Sequence, residues 1–248
     1  YSGLPFFRYL EGVVEKLVLD AADKVIVVSH GQASLLSSAF PTSFPSVIKN
    51  ASSLEIFSEA FQNENLNVQP SPGKFKLLYT GTLYENFQDP FPIFEEVSRL
   101  HSLSLICPDS FCLEIISPQI SLFASYVDKF YLSDYVNLLP FMPRDQCFVR
   151  MKNANCFLLL EDQLTESHGV LTSKMYDYLY VGKPILVHGV SIDSELYHYV
   201  NRNGNILSLQ ELHSCFSSFQ SGNLSSVKSF SQVSSSRRSL LSLISELN

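Results

Sequence analysis

The 248-residue chain has no tryptophan, few charged residues and no excess of positive charge. Charged residues make up 17% of the sequence, and the formal net charge is −7. Because a nucleic-acid-binding protein usually presents a basic surface to the phosphates, this balance argues against nucleic acid as a partner. The chain also has no apolar run near the roughly 20 residues that a membrane-spanning helix needs, and its first residues do not form a secretory signal pattern.

Cysteine occurs five times, an odd number, and in no spacing that is typical of a metal site. The sequence therefore favours small core thiols in a reducing compartment, and we expect a cytoplasmic location. We expect neither a bound metal ion nor a separate cofactor. The cysteines are Cys107, Cys112, Cys147, Cys156 and Cys215.

What the sequence does contain is a regular alternation of segments with helical and strand-like apolar spacing. Helices are predicted at residues 6–22, 30–40, 91–100, 110–130 (with a break at Pro118), 144–152, 172–182, 193–201 and 209–219. Strands are predicted at residues 25–28, 45–49, 74–80, 103–107, 136–141, 156–160, 185–187 and 205–207. This alternation predicts an α/β fold with a doubly wound parallel sheet, whose ligands bind at the carboxyl ends of the strands.

Residues 166–184 combine a polar loop, a helix and the start of a strand. Thr172 and Ser173 stand where the helix is predicted to begin, and Lys174 follows them. Backbone N–H groups in a first helical turn lack internal partners, so with the helix dipole they attract anions. One turn further on, Asp177 is placed to accept hydrogen bonds from sugar hydroxyls. The pattern suits phosphate next to a diol, as in a nucleotide, although an ordinary capped helix with a solvated lysine would look the same.

The same segment resembles a signature of glycosyltransferase family 4. Its sequence T-S-K-M-Y-D-Y-L-Y-V-G-K-P is similar to the family pattern K-L-x-E-Y-L-x-x-G-K-P. The resemblance implies a retaining, metal-independent enzyme of the GT-B fold, in which Asp177 binds the ribose of a nucleotide-sugar. Lys174 and the helix start at Thr172 and Ser173 would then stabilise the leaving diphosphate.

Two positions depart from the family pattern. The family often has a glutamate near the donor sugar, eight positions before the ribose-binding residue; here that position is Gly169, and Glu166 in the same loop is the alternative. The family also places arginine or lysine after the turn that approaches the phosphates, which here is Gly81-Thr82. The sequence G-T-L-Y-E-N-F-Q-D-P has no basic residue, so Lys174 is expected to be the main positive charge at the diphosphate.

Two further segments follow predicted strands at the same edge of the sheet. Phe141 and Met142 lie in the loop that matches the family's base-binding loop, so they are candidate base contacts; core or hinge positions are the alternative. Glu161 and Asp162 are adjacent carboxylates. Because neighbouring residues of a strand point to opposite sides, we do not expect these two to hold a metal ion together.

The resemblance extends to the beginning of the chain. The pattern E-x-x-V-x-x-x-A-D-K-V-I-V-V-S, followed by V-I-K-N, is similar to the end of the family's first Rossmann-like domain. Residues 1–60 are expected to form the end of that acceptor-side domain, whose first part the chain would lack. Residues 61–73 are the predicted linker, 74–228 the nucleotide-sugar-binding domain, and 229–248 a helix that packs back on the first domain. Ser29 and Gln32 form a predicted capping box, which makes His30 a surface residue rather than a catalytic one.

The resemblance implies a hexosyltransferase-like enzyme of polysaccharide biosynthesis, with Lys174 and Glu166 as candidate catalytic residues. It would move a sugar from a nucleotide diphosphate sugar to a saccharide or lipid-linked acceptor. A catalytically degenerate subunit or nucleotide-sugar-binding module, and a nucleotide-sugar epimerase of the same fold, are the alternatives. Arg237 and Arg238 offer a further, peripheral contact with anionic lipid at the inner face of a membrane. The candidate binding residues are Gly81, Thr82, Phe141, Met142, Gly169, Thr172, Ser173, Lys174 and Asp177.

Overall fold

A computed structural model describes residues 5–51, 73–84, 88–161 and 171–224. In the first of these ranges, helix α1 (Pro5–Ala21) leads to strand β1 (Ile26–Val27), helix α2 (His30–Ala39) and strand β2 (Ser46–Val47). The two short strands are parallel neighbours. The helices and strands predicted for this range are therefore present, although each strand is only two residues long.

The remaining strands form a six-stranded parallel sheet. They are β3 (Phe75–Thr80), β4 (Phe111–Ile116), β5 (Val136–Leu139), β6 (Cys156–Leu160), β7 (Ile185–His188) and β8 (Ile206–Leu207). The helices of this part are α3 (Phe91–Ser102), α4 (Ile120–Phe130), α5 (Arg144–Lys152), α6 (Ser173–Val181), α7 (Glu195–Asn203) and α8 (Leu212–Gln220). The predicted α/β fold with a doubly wound parallel sheet is confirmed.

The order of the strands in this sheet is β5-β4-β3-β6-β7-β8. From β3 the chain builds the sheet outward to β5, then crosses back and adds β6 on the other side of β3. In doubly wound sheets a crevice for ligands opens at the carboxyl ends of the strands where the order reverses. That point lies here between the end of β3 at Thr80 and the end of β6 at Leu160.

Each face of the six-stranded sheet packs against its own set of helices. One apolar core includes Phe94 of α3 and Phe216 of α8, and the other includes Phe148 of α5 and Met175 of α6. All five residues of β6 are buried. Strands of a parallel sheet that is covered on both faces have this continuous apolar character, and it explains why β6 was readily predicted from the sequence.

The prediction is wrong between residues 103 and 118, whereas the helix predicted after the break at Pro118 is present as α4. The prediction places a strand at 103–107 and a helix from 110, whereas 103–107 are irregular and β4 occupies Phe111–Ile116, before α4. All six residues of β4 pair with β3. Glu114, in the middle of this strand, conceals the apolar pattern in the sequence. Its carboxylate is nevertheless buried, and its Oε2 atom lies 3.2, 3.7 and 3.2 Å from Arg150, Lys76 and Asn137.

The predicted N-cap of α2 at Ser29 is confirmed, whereas the return bond of the predicted capping box is found at the N–H of Val28. Ser29 Oγ accepts a hydrogen bond from the backbone N–H of Gln32 at 3.1 Å, and Gln32 Oε1 accepts one from the N–H of Val28 at 3.3 Å. Ser29 is fully buried, whereas His30 is exposed. These positions agree with the sequence analysis, which expected Ser29 to cap the helix and His30 to be a surface residue rather than a catalytic one.

Some predictions concern residues that the structure leaves undescribed. The predicted linker at 61–73, apart from Gly73, and the predicted helix at 229–248 lie outside the described residues, so the division into domains stays a prediction. Within the described ranges, no helix is both long enough and apolar enough to cross a membrane. Of the cysteines, Cys156 and Cys215 are buried as expected, but Cys107 is exposed.

Candidate functional site

A cleft of about 660 Å³ opens where the strand order reverses. It lies beyond the end of β3 and is bordered by the loop after β5, the start of α5 and the start of α6. The predicted binding residues that the structure describes come from three separate segments, and all of them line this one cleft. They are Gly81, Thr82, Phe141, Met142, Thr172, Ser173, Lys174 and Asp177.

Gly81 directly follows β3 and has a backbone conformation that favours glycine, with φ of +120°. Its N–H donates to the carbonyl of Ile116 at 2.9 Å, so the turn is tied to β4. A Cβ atom at this position would lie 3.4 Å from Cε and 3.5 Å from Nζ of Lys174. The Gly81 turn and the end of the Lys174 side chain therefore lie next to each other, with only contact distance left for a side chain at residue 81.

The ammonium group of Lys174 lies against the ring of Tyr79. Its Nζ is 4.7 Å from the ring centroid and donates to the Tyr79 hydroxyl at 3.4 Å, which in turn donates to the carbonyl of Thr82 at 3.0 Å. Burial lowers the pKa of Lys174, and the nearby Glu161 partly opposes this. The lysine thus holds a desolvated positive charge at the edge of the cleft, where an anion would be attracted more strongly than in water.

Helix α6 begins at the cleft, as predicted. Thr172 is its N-cap residue, but the side chain makes no capping hydrogen bond, and its Oγ1 is buried with no partner among the described residues. Ser173 is exposed. The open N–H groups of the first turn and these two hydroxyls together offer several hydrogen-bond donors to a ligand in the cleft.

Asp177 is buried, with 7% of its surface exposed, and it is held by Arg144, which the sequence analysis missed. Nη2 of Arg144 donates to both carboxylate oxygens, at 2.9 and 3.2 Å. Arg144 opens α5, directly after the loop that contains Phe141 and Met142. That position beside a predicted base-binding loop was the only signal in the sequence. A second cation, paired with Asp177, therefore lines the cleft, and the expectation that Lys174 is the main positive charge at the diphosphate stays a prediction.

Tyr178 fixes α6 to the end of β3. Its hydroxyl accepts from the N–H of Thr80 at 3.0 Å and lies 3.1 Å from Thr80 Oγ1. The ring stacks on Phe157 of β6, with 4.3 Å between the centroids. Because Lys174 and Asp177 stand on the same helix, this contact sets their positions relative to the Gly81 turn.

The remaining predicted site residues are not among those that the structure describes. Glu166 and Gly169 are outside the described residues, so their predicted contacts with the donor sugar stay predictions. Asp162, one of the two adjacent carboxylates, is also outside them. Among the described residues no group of three or more His, Cys, Asp or Glu side chains comes together as a potential metal site. Cys147 lines the cleft, but burial raises its pKa to about 11, so it is a neutral thiol near pH 7.

A second cavity, of about 790 Å³, lies between α3, the end of β7 and residues 208–211. It contains none of the predicted site residues. Glu96 is bound to Arg99 at 2.7 Å, and Glu211 caps the turn at Ser208. Two of the three carboxylates that line it, those of Glu96 and Glu211, already have structural partners, and none of the predicted site residues lies there, so this cavity is a weaker candidate for a ligand than the cleft at the strand reversal.

The fold is the α/β fold of GT-B proteins, and solved structures of glycosyltransferases are similar to this chain. HepE of Anabaena, in complex with UDP-glucose, is 13% identical with a TM-score of 0.63, over 95% of this chain and 68% of HepE. Sucrose-phosphate synthase of Thermosynechococcus elongatus is 15% identical with a TM-score of 0.53, over 86% of this chain and 52% of the synthase. The lipopolysaccharide outer core galactosyltransferase WaaB is 15% identical with a TM-score of 0.52, over 82% of this chain and 54% of WaaB.

No family model and no curated protein sequence matches the chain. At identities of 13–15% the similarity shows the fold alone. The chain spans about two thirds of the length of HepE and about half of that of the other two proteins.

Proposed function

We propose that the chain binds a nucleotide diphosphate sugar in the cleft at the strand reversal and belongs to a glycosyltransferase. One observation carries this proposal. Residues singled out separately, on the Gly81 turn, in the loop after β5 and on α6, border one cavity at the place where doubly wound sheets bind ligands. HepE, which shares the fold, binds UDP-glucose, and this makes a nucleotide-sugar the first ligand to test.

Each part of the donor has a matching group in the cleft. The diphosphate would lie between the start of α6 and the Gly81 turn, where Lys174 adds its charge. Asp177 would accept hydrogen bonds from the ribose hydroxyls, and Phe141 and Met142 would flank the base. Glu166 or the backbone at Gly169 would face the donor sugar.

The proposed reaction is transfer to a saccharide or lipid-linked acceptor, with retention of the anomeric configuration. Negative charge grows on the diphosphate as the glycosidic bond breaks, and preorganised cations and N–H groups stabilise such charge. Lys174 and the first turn of α6 would stabilise this charge without a metal ion. In metal-dependent transferases a bound metal ion acts as the Lewis acid instead. Polysaccharide biosynthesis in the cytoplasm is the setting that this proposal implies.

Calorimetric titration with UDP, GDP, ADP and dTDP, in the presence of a chelator, tests the binding. We expect saturable binding of at least one of them. Lys174→Met should weaken it by roughly 10- to 100-fold, as expected for a lost charge-assisted hydrogen bond. Lys16→Met, on an exposed lysine paired with Asp20, is the matched control and should bind normally. A folded protein that binds none of the four would contradict the proposal.

A nucleotide-sugar-binding module without turnover is the second candidate. It is favoured by the run of residues 82–90, which contains neither lysine nor arginine. Incubation with the sugar donors of the bound nucleotide separates the two functions. The reaction is monitored by NMR. Release of the nucleotide indicates an enzyme if a sugar product of retained anomeric configuration forms with it. Binding without release indicates a binding module.

A further inference from the structure

Three polar groups at the edge of the cleft form a hydrogen-bonded chain whose direction is fixed by their chemistry. Nζ of Lys174 donates to the hydroxyl of Tyr79 at 3.4 Å, and this hydroxyl donates to the carbonyl of Thr82 at 3.0 Å. An ammonium group can only donate and a carbonyl can only accept, so the single proton of the hydroxyl points to Thr82 and an oxygen lone pair faces Lys174. Burial raises the pKa of Tyr79 far above its ordinary 10.0, so the hydroxyl keeps this proton.

Tyr79 is the rigid member of this chain. It is fully buried in β3, a strand that pairs with β4 on one side and β6 on the other. Its ring packs against that of Phe123, with 5.6 Å between the centroids. The ammonium group of Lys174 lies 4.7 Å from the centroid of Tyr79, where the face of the ring attracts a cation. The hydroxyl therefore has a fixed position at the carboxyl end of the sheet.

Lys174, by contrast, is a long and flexible side chain on a helix. A side chain of this kind loses conformational entropy when a ligand orders it, and this loss lowers the affinity unless the protein orders the side chain beforehand. The contact with Tyr79 provides that order in the free protein. Gly81 leaves the space it needs, because a Cβ atom there would lie 3.4 Å from Cε of Lys174. The charged end of Lys174 thus lines the cleft in a preset place.

We infer that Tyr79 is a positioning residue for Lys174: its hydroxyl holds the ammonium group beside the turn at Gly81 and Thr82, where the diphosphate is proposed to bind. This inference rests on the proposed function, because it concerns the phosphate end of the same site. Tyr79 acts through Lys174, so removing its hydroxyl should weaken the binding of a diphosphate only while Lys174 is present.

Tyr79→Phe removes the hydroxyl and keeps the ring. Calorimetry with the nucleoside diphosphate that binds best among UDP, GDP, ADP and dTDP should show binding weakened roughly 3- to 10-fold, as expected for one lost hydrogen bond. Inorganic pyrophosphate should lose the same factor, because the proposed role of Lys174 concerns the phosphates and not the nucleoside. When Tyr79→Phe is added to Lys174→Met, the affinity should change by less than about twofold, since the group through which Tyr79 acts is already gone.

The titration of Lys174 in the free protein is a second readout, which a merely structural role of Tyr79 would not change. An acceptor oxygen favours the charged ammonium group, so Lys174 in Tyr79→Phe should lose its proton at a lower pH than in the wild type. NMR of protein labelled with ¹³C at the lysine Cε follows this step, and Lys174→Arg assigns the signal. The other titratable groups that line the cleft or act on this pair are unchanged between the two proteins; they are Tyr84, Arg144, Cys147, Glu161, Asp177 and Tyr178.

Tyr135→Phe is the matched control. Tyr135 is also buried, and its hydroxyl lies 2.7 Å from Nδ1 of His101. It directly precedes β5, at the amino ends of the strands and thus away from the cleft. This variant should bind the nucleotide with wild-type affinity and leave the titration of Lys174 unchanged.

A measurement on the wild type keeps the inference testable if Tyr79→Phe folds poorly. In protein labelled with ¹³C at the tyrosine Cζ, one tyrosine signal should shift at the pH at which Lys174 titrates. The shift should be absent in Lys174→Met.

An equal loss of affinity from Tyr79→Phe with and without Lys174 would overturn the inference and make Tyr79 a support of the turn alone. An unchanged affinity in Tyr79→Phe, or an unchanged titration of Lys174, would overturn it as well. Failure of the wild type to bind any of the four nucleoside diphosphates would instead refute the proposed function. The titration of Lys174 in the free protein would still test its contact with Tyr79, so the two failures are distinguishable.

Discussion

Lys174 shows how one residue combines burial with a predicted role in binding. Burial lowers its pKa below the ordinary 10.5, because the charged form loses water that the ring of Tyr79 only partly replaces. A diphosphate in the cleft would favour the charged form and raise this pKa again. Ligand binding should therefore be linked to the protonation of Lys174.

This linkage predicts that the affinity for a nucleoside diphosphate falls as the pH rises through the lowered pKa of Lys174, at pH values below 10.5. In Lys174→Arg the charge persists, so affinity should stay flat over the same range. Calorimetry in buffers of different ionisation enthalpy measures both the affinity and the uptake of protons. An affinity that falls equally in both proteins would show that another group titrates. Without a ligand, the lowered pKa means that the folded protein releases the proton of Lys174 at a lower pH than the unfolded chain does. The contribution of Lys174 to folding stability should therefore increase as the pH rises through this range.

Gly81 carries a second prediction at this scale. Gly81→Ala should lower the stability by about 1–3 kcal/mol, because φ is +120°. It should also weaken nucleotide binding, because the new methyl group would take up space in the cleft at ordinary contact distance from Lys174, 3.4 Å from its Cε atom. Gly222→Ala is a matched control: its φ is +73°, but a Cβ there meets nothing within 4 Å. Chemical denaturation should show a lower unfolding free energy for both variants. Calorimetry should show weaker nucleotide binding for Gly81→Ala alone. Equal binding in both variants would mean that the approach of Lys174 to the turn is not important.

The sequence revealed the residues of the site unevenly. Gly81, Lys174 and Asp177 were recognisable because each stands in a short segment whose pattern indicates a turn or a helix start. Arg144 was not, because its partner is 33 positions away and only the packing of α5 beside α6 brings the two together. A pairing between distant elements leaves no local periodicity in a sequence.

At the scale of elements, the same limit explains the error at β4. Isolated apolar segments such as β6 indicate strands because all their residues face helices. β4 contains Glu114, whose burial depends on Lys76 of β3, Asn137 of β5 and Arg150 of α5. Since these partners come from three other elements, the charge appears in the sequence as a break in a strand pattern rather than as part of one.

The position of α6 depends on the contact between Tyr178 and Thr80, and this gives a prediction for the element. Tyr178→Phe keeps the stacking on Phe157 but leaves the N–H of Thr80 without its acceptor in a buried place. We expect a loss of about 1–3 kcal/mol in unfolding free energy, the cost of an unsatisfied buried group. Nucleotide binding should weaken as well, because α6 carries both Lys174 and Asp177.

Urea denaturation measures the first effect and calorimetry the second. Tyr131→Phe is the control, since 90% of Tyr131 is exposed, and it should change neither quantity. A Tyr178→Phe variant with wild-type stability would show that the stacking alone fixes the helix.

At the scale of the whole molecule, Glu195 joins the two sheets. It stands at the start of α7, and its carboxylate accepts from the N–H of Gly31 in α2 at 3.0 Å and from Nζ of Lys49, after β2, at 2.8 Å. Lys49 Nζ also lies 4.4 Å from the ring centroid of Tyr199. These contacts link the part of the chain before residue 51 to the side of the six-stranded sheet that carries α7.

The pKa of Glu195 shows which of its interactions prevail. Burial alone raises it, but the hydrogen bonds from Lys49 and Gly31 outweigh this effect, so that the pKa lies below the ordinary 4.5. A carboxylate with a lowered pKa in the folded state stabilises the protein above its unfolded-state pKa, and this contribution is lost as the pH falls through the folded-state value. The connection between the sheets should therefore be complete near neutral pH and weaken in acid.

Glu195→Gln tests this connection. At pH 7 it should lower the unfolding free energy by on the order of 1–2 kcal/mol, because a partly buried charge-assisted contact to Lys49 is lost while an oxygen remains for Gly31. Below pH 4.5 the difference from the wild type should shrink, since the wild-type carboxyl is then increasingly protonated. Asp20→Asn removes an exposed i,i+4 pair with Lys16 and should change stability by no more than about 0.5 kcal/mol. Denaturation curves between pH 3 and 7 give all three values. A Glu195→Gln effect as small as that of Asp20→Asn would mean that this carboxylate does not hold the two sheets together.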